Sequence, residues 1–170
     1  MTLPHTRHLD ALVAKYVLKL EDVRLGWAFG SDAQPQWSSD RDYYGRDYIY
    51  RAREATETGA GYERVPGYAS DGNAMLGLES TLDQQDTWIV HADNWSSCGG
   101  DKRHIVLSTG IYKMTGGGLT FPLALVWASL NLTECVKRAS GDQSFDVRRE
   151  LQRLEDAYQE AINEKGVEHA

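Results

Sequence analysis

Flat rings and guanidinium groups alternate between Trp27 and Arg53. Trp27, Phe29, Trp37, Tyr43, Tyr44, Tyr48 and Tyr50 run through Arg41, Arg46, Arg51 and Arg53, with Asp32, Asp40, Asp42 and Asp47 among them. Rings beside guanidinium groups can hold a planar polar ligand, such as a nucleobase, by stacking and paired hydrogen bonds. The same residue types also make protein–protein hot spots, or pack over a sheet edge with no ligand at all. Trp27, Trp37, Tyr43, Tyr44, Arg46, Tyr48 and Arg51 are the candidate ligand contacts here. If they face solvent, changing Arg46 or Tyr48 to Ala leaves the free protein's melting temperature nearly unchanged.

A phosphate has a separate candidate seat. Lys113 and Gly116-Gly117-Gly118 precede Thr120, a plausible helix cap. Bare amides and the positive end of a helix dipole could cradle an anion there. The spacing matches neither of the common glycine-rich phosphate loops, and a flexible turn that ends the sheet region is the plainer expectation. Ser70, with Asp71 at the start of another helix, offers the same chemistry more weakly.

Other reactive side chains form no recognisable catalytic set. His91 and His104 lie on the two strands of an expected hairpin. With Asp93 or Cys98 they could make a metal site or an acid–base pair if the turn register allowed it. Isolated strand histidines more often face solvent or take a hydrogen bond. Cys98 lies beside Gly99-Gly100, but no oriented base is identifiable for it. Asp40, Asp42 and Asp47 do not fit a calcium loop and suit a solvated loop better. The expectation is binding without turnover, with no metal and no cofactor.

Composition narrows the partner. The 170 residues carry a net charge of −7, which argues against a nucleic-acid polymer but not against a small phosphorylated ligand. Cys98 and Cys135 are too few for a disulfide framework and suit reduced thiols inside a cell. No leader-like segment and no membrane-length apolar run is evident. The chain is expected to be soluble, without membrane contact, and to form one domain with a real core.

The elements that must position these groups follow from periodicity. Leu9, Leu12, Val13, Tyr16, Val17 and Leu20 give an amphipathic helix over Thr6–Leu20. Leu25–Gly30 reads as a short strand or turn, Ser31–Tyr44 as a long loop and Asp47–Arg53 as a strand. A helix from Ser70 or Asp71 to about Leu82 turns Met75, Leu78 and Leu82 inward. Asp86–Asn94 and His104–Thr109 form an antiparallel hairpin, which Ile111–Met114 extends or follows. Leu123–Val136, behind Thr120 and Pro122, is the central buried helix. Phe145–Lys165 is a final amphipathic helix, whose stripe needs its own domain or a second copy to cover it.

Leu9-Asp10-Ala11-Leu12-Val13-Ala14, then Val65-Pro66 with Tyr68, Ser70 and Asp71, and finally the Leu123–Leu132 helix after a sheet segment containing Trp88 form three segments. Together they resemble the phage ABA sandwich domain proteins, a small phage-encoded family. The resemblance implies a viral or prophage origin and a three-layer α-β-α sandwich. It carries over no catalytic residue. The sandwich-like domain would span 1–139, with an aromatic-rich insert at about 27–64. Residues 140–170 would be an added C-terminal helix.

The expectation is therefore an α+β protein with a small antiparallel sheet between helical layers and an added C-terminal helix that favours a homo-oligomer. Its expected role is to sequester a small nucleotide-like ligand, in one version a bacterial defence signal, in the cytoplasm of an infected bacterial host. Trp and Tyr would stack, Arg would pair charge, and Lys113 with Gly116–Gly118 and Thr120 would take phosphate. The alternative is a protein-interaction module that binds a host or phage protein through the aromatic insert. A nucleotide-processing enzyme ranks third.

Overall fold

The computed structural model describes residues 3–29, 36–38, 45–52, 61–92 and 103–168. The first helix, α1 (His5–Leu12), buries Leu9 and Leu12 and widens into a π-helical turn, Val13–Val17. Lys19 then adopts φ +54°, and the Leu20 amide reaches back to the Ala14 carbonyl at 2.9 Å. The long helix expected through Leu20 thus ends earlier, by widening and then turning.

The segment expected to be a strand or turn is a full strand, β1 (Glu21–Phe29). It joins β2 (Gln36–Ser38), β3 (Gly45–Arg51) and β4 (Tyr62–Arg64) in a closed antiparallel ring ordered β1-β2-β4-β3. Four strands leave almost no interior. Gly26 is the concession to that crowding, because a Cβ there would fall on the Ile49 side chain. Near its start β1 bulges: Glu21 pairs with Arg51 but Arg24 with Ile49, and Asp22 between them has φ +52°.

The second helix, α2 (Gly72–Gln84), is capped by the Asp71 carboxylate, which accepts from the Asn73 amide at 2.8 Å. Met75, Leu78 and Leu82 are buried, as their spacing predicts. The hairpin is β5 (Trp88–Ala92) and β6 (Arg103–Thr109), followed by β7 (Tyr112–Gly118) in an antiparallel sheet ordered β5-β6-β7. The turn expected at Asn94–Lys102 lies outside the described residues.

The glycine run is a correction. Gly116 pairs with Ile105, Gly117 with His104 and Gly118 with Arg103, so the run continues the strand instead of ending it. It is glycine because α3 (Phe121–Ala139) lies against it: a Cβ on Gly116 would land on the Ala128 nitrogen and the Ala124 carbonyl oxygen. Thr120 caps α3 as expected, its hydroxyl accepting from the Leu123 amide at 3.4 Å, with Pro122 in the first turn.

The last helix, α4 (Val147–Glu168), packs on α1 and α3, and Phe145, Val147, Leu151 and Tyr158 are all buried. Its stripe is largely used inside the chain, so it does not call for a second copy. Mixed helices and small antiparallel sheets make this an α+β protein. Among the described residues, α3 covers β6 and β7, while α1 and its π turn reach both α3 and the strands β1 and β3. Helices therefore lie between the closed ring and the three-stranded sheet. On the sheet's other face Trp88 is 77% and Val90 57% exposed.

Candidate functional site

Much of the expected site is fold. Tyr48 is almost fully buried, and its hydroxyl shares a 2.6 Å hydrogen bond with His8 Nδ1. Its neighbour Asp47 is buried too, accepting from the Tyr48 amide at 2.7 Å, Arg7 Nε at 2.9 Å and Arg64 Nε at 2.6 Å. Arg7 also donates to Asp10 at 2.7 Å, the Val65 carbonyl at 2.7 Å and the Pro66 carbonyl at 3.2 Å. Asp10 in turn accepts from the Ala69 amide at 2.7 Å. This network clamps α1 to β3 and to the loop at residues 65–69, which includes the Val65-Pro66 segment.

Burial sets the electrostatics here. It pushes the Asp10 carboxyl up to about 6, more than the Ala69 amide and Arg7 pull it down. It holds His8 below the usual imidazole value, with the charge of His5 acting in the same direction. It also raises the Tyr48 phenol far above its ordinary range and the Tyr68 phenol to about 12. Among the described residues, the charged members Arg7, Asp10, Asp47 and Arg64 are satisfied by one another and act as a clamp.

The remaining rings are stacked within the chain. Trp27 is only 6% exposed, and the Arg46 guanidinium lies 4.3 Å from its ring centroid. Arg64 lies 5.8 Å over half-buried Trp37. Arg51 is exposed and sits near Tyr62 and Asp22. Tyr43 and Tyr44 lie outside the described residues. Ser70 is exposed in the turn before α2, and Lys113 is exposed on β7 opposite Ser108. Among the described residues, α1 and α3 lie between the strands that carry the aromatic stretch and Gly116–Thr120, so the described rings and that glycine run do not meet. Among the histidines, register pairs His104 with Ala92 and His91 with Ile105. Asp93 and Cys98 lie outside the described residues.

A cleft lies elsewhere on the chain. A cleft of about 220 Å³ is lined by Ala11, Leu12, Lys15, Val23, Arg24, Leu25, Tyr48, Arg153, Leu154 and Ala157. Its walls are α1 with the π turn, the start of β1, the inner side of β3 and the middle of α4. Two backbone irregularities border it: the π turn that carries Lys15, and the bulge at Asp22 just ahead of Val23 and Arg24. Such irregularities cost stability and gather at functional sites.

Three cations line the cleft among apolar side chains. Arg24 contacts Asp22 at 3.4 Å and donates to the Tyr62 hydroxyl at 2.7 Å. Arg153 donates to Glu150 at 2.7 Å, and Tyr16 donates to the same carboxylate at 3.1 Å. Burial lifts the Glu150 carboxyl, but Arg153 and Tyr16 outweigh it and hold the group below its usual value. Lys15 has the Tyr16 ring 5.2 Å away.

Of the cleft residues, only Tyr48 is among the contacts that the sequence suggests. Lys15 and Arg153 are separated by nearly the whole chain, and nothing in either local pattern pairs them. Arg24 stood just outside the aromatic stretch. Arg7 and Asp10 carried a visible signal, an i, i+3 charge pair on the apolar side of the first helix. No family model, curated protein or solved structure matches this chain.

Proposed function

We propose that this protein binds a small nucleotide-like ligand without turning it over, in the cleft between α1, the π turn, β1, β3 and α4. The observation that carries the reading is the convergence of the π turn and the Asp22 bulge on one apolar cleft. What the cleft offers is shape, an aromatic wall at Tyr48 and positive charge at Lys15, Arg24 and Arg153. Those are the needs of binding.

Size limits the occupant. At about 220 Å³ the cleft is smaller than the roughly 300–1,000 Å³ of sites for drug-sized ligands. It suits a body the size of a nucleobase, with the remainder at the mouth. A bacterial defence signal held in the host cytoplasm is the version of this reading that fits a phage sandwich protein. The α-β-α order belongs to the same proposal. The competing protein-binding insert loses Trp27 and Tyr48 to the interior.

The test is thermal unfolding with a panel of linear and cyclic nucleotides, followed by recovery of the ligand. Saturation at a hundred times Kd stabilises by about 2.7 kcal/mol, a shift easily read in a melt. Ala157 is exposed on α4, so Ala157→Phe plugs the cleft without cutting the core. A shift seen in the native chain, lost in Ala157→Phe, with the ligand recovered intact, supports the proposal. Altered ligand means catalysis, and no shift with any nucleotide overturns the proposal.

A further inference from the structure

We propose that Arg24, Arg51 and the Tyr62 hydroxyl form a seat for a phosphate group, which the Asp22 carboxylate fills from within the chain. The seat stands on its own contacts. Its use by a ligand of the cleft, through the shared Arg24, rests on the cleft being the binding site.

Three donors converge there on one oxygen. The Tyr62 hydroxyl donates to Asp22 Oδ2 at 2.6 Å, and Arg24 Nη2 and Arg51 Nη2 lie 3.4 Å and 3.7 Å from the same atom. The donors come from β1, β3 and β4, with Arg51 opposite Tyr62 in register. Both guanidinium groups lie over the Tyr62 ring, at 5.1 Å for Arg24 and 6.0 Å for Arg51. The phenol oxygen also accepts from Arg24 at 2.7 Å and, at 3.5 Å, from Arg51. Ring and cations thus hold one another in place around the oxygen that they face.

Asp22 fits this place only in part. Its carboxylate meets the phenol at hydrogen-bond length, but both guanidinium distances exceed the roughly 2.7–2.9 Å of a charge-assisted bond. Asp22 is exposed and sits on the β1 bulge with φ +52°, and exposed ion pairs hold weakly. Its side chain can therefore turn out to water while the three donors stay. A phosphate group brings several oxygens to the same place and accepts from the phenol and both guanidinium groups at once. A single carboxylate tethered by its own backbone does not. Glu21, opposite Arg51 in register, adds a second negative charge nearby. The native chain is thus a weak phosphate binder, and removing the Asp22 charge strengthens it. Asn at position 22 keeps an acceptor for Tyr62 and tolerates the positive φ, so Asp22→Asn changes the charge and leaves the bulge.

The experiment is a titration with inorganic phosphate at low ionic strength, followed by protein NMR. It compares the native chain, Asp22→Asn, and Asp22→Asn combined with Arg51→Gln. The expected result is phosphate binding roughly tenfold tighter in Asp22→Asn than in the native chain, the scale of two exposed ion pairs released. The double variant should lose that gain. If Asp22→Asn binds phosphate no tighter, or the gain survives Arg51→Gln, the contacts only anchor the bulge and the seat is refuted. A second titration, with adenosine 5′-monophosphate on Asp22→Asn with and without Ala157→Phe, tests the link to the cleft. Tighter binding than phosphate that Ala157→Phe brings back to the phosphate value joins seat and cleft. If phosphate gains in Asp22→Asn but Ala157→Phe changes nothing, the seat stands and the cleft reading fails. If Ala157→Phe abolishes nucleotide binding and phosphate shows no gain, the cleft stands and the seat fails.

Discussion

Arg7 and Asp47 meet across 40 residues of sequence, Nε to Oδ1 at 2.9 Å, with both side chains shut away from solvent. Because neither can turn to water, the pair acts as a clamp between α1 and β3. Cutting it leaves a buried charge without its partner, so Arg7→Met or Asp47→Ala should cost about 3–5 kcal/mol in urea unfolding. Arg64 touches the same carboxylate but is 54% exposed, and Arg64→Ala should cost less than about 1 kcal/mol. Equal losses at all three positions would mean that burial does not govern this cluster.

Asp10 and His8, on the same helix, should give opposite pH dependences. Burial raises the Asp10 carboxyl to about 6, so between about pH 4 and 6 the folded chain keeps a proton that the unfolded chain releases. Its contribution to stability therefore falls as pH rises through that window, by about 3 kcal/mol at most. His8 is held below its usual value, so its contribution is lost as pH falls below about 6.5. Unfolding of the native chain and Asp10→Asn across this range isolates the first effect. The variant should gain on the native chain as pH rises. A relative loss would show that Arg7 keeps the carboxylate charged.

The glycine run separates packing from ligand binding. A Cβ at Gly116 collides with α3 backbone, which cannot rotate away, so Gly116→Ala should cost roughly 1–3 kcal/mol. At Gly117 the nearest neighbour is the His104 ring at 3.1 Å, on an exposed strand position, and Gly117→Ala should stay within about 0.5 kcal/mol of the native chain. Melting temperatures of the two variants suffice. Similar values for both would mean that α3 does not need close approach to β7.

These contrasts show which parts of the molecule are legible in the sequence. Met75, Leu78 and Leu82, or Val147, Leu151 and Tyr158, are buried because helical spacing alone puts them on one face. The Asp71 and Thr120 caps follow from local hydrogen-bond chemistry. Gly116 is illegible for the opposite reason. A glycine in a turn and a glycine under a helix look alike until the helix is placed. Tyr48 and Trp27 misled in the same way, since an aromatic residue suits a binding face and a core equally. The cleft needed Lys15, Arg24 and Arg153 from three separated elements, and no local periodicity links them.

Tyr48 links the clamp to the cleft, and two substitutions divide its roles. Tyr48→Ala removes a fully buried ring beside Ile49 and should cost about 3–5 kcal/mol, against the near-neutral result expected of a solvent-facing contact. Tyr48→Phe keeps the ring against the cleft but leaves His8 Nδ1 without its hydroxyl partner, so it should cost about 1–3 kcal/mol. Ligand affinity should respond differently. The hydroxyl is already engaged by His8, so the phenylalanine variant should bind any cleft ligand as the native chain does, once measured below its melting temperature. Urea unfolding reads the first pair of numbers, and calorimetric titration the second. Loss of affinity in Tyr48→Phe with unchanged stability would place the hydroxyl in the cleft and break its assignment to the clamp.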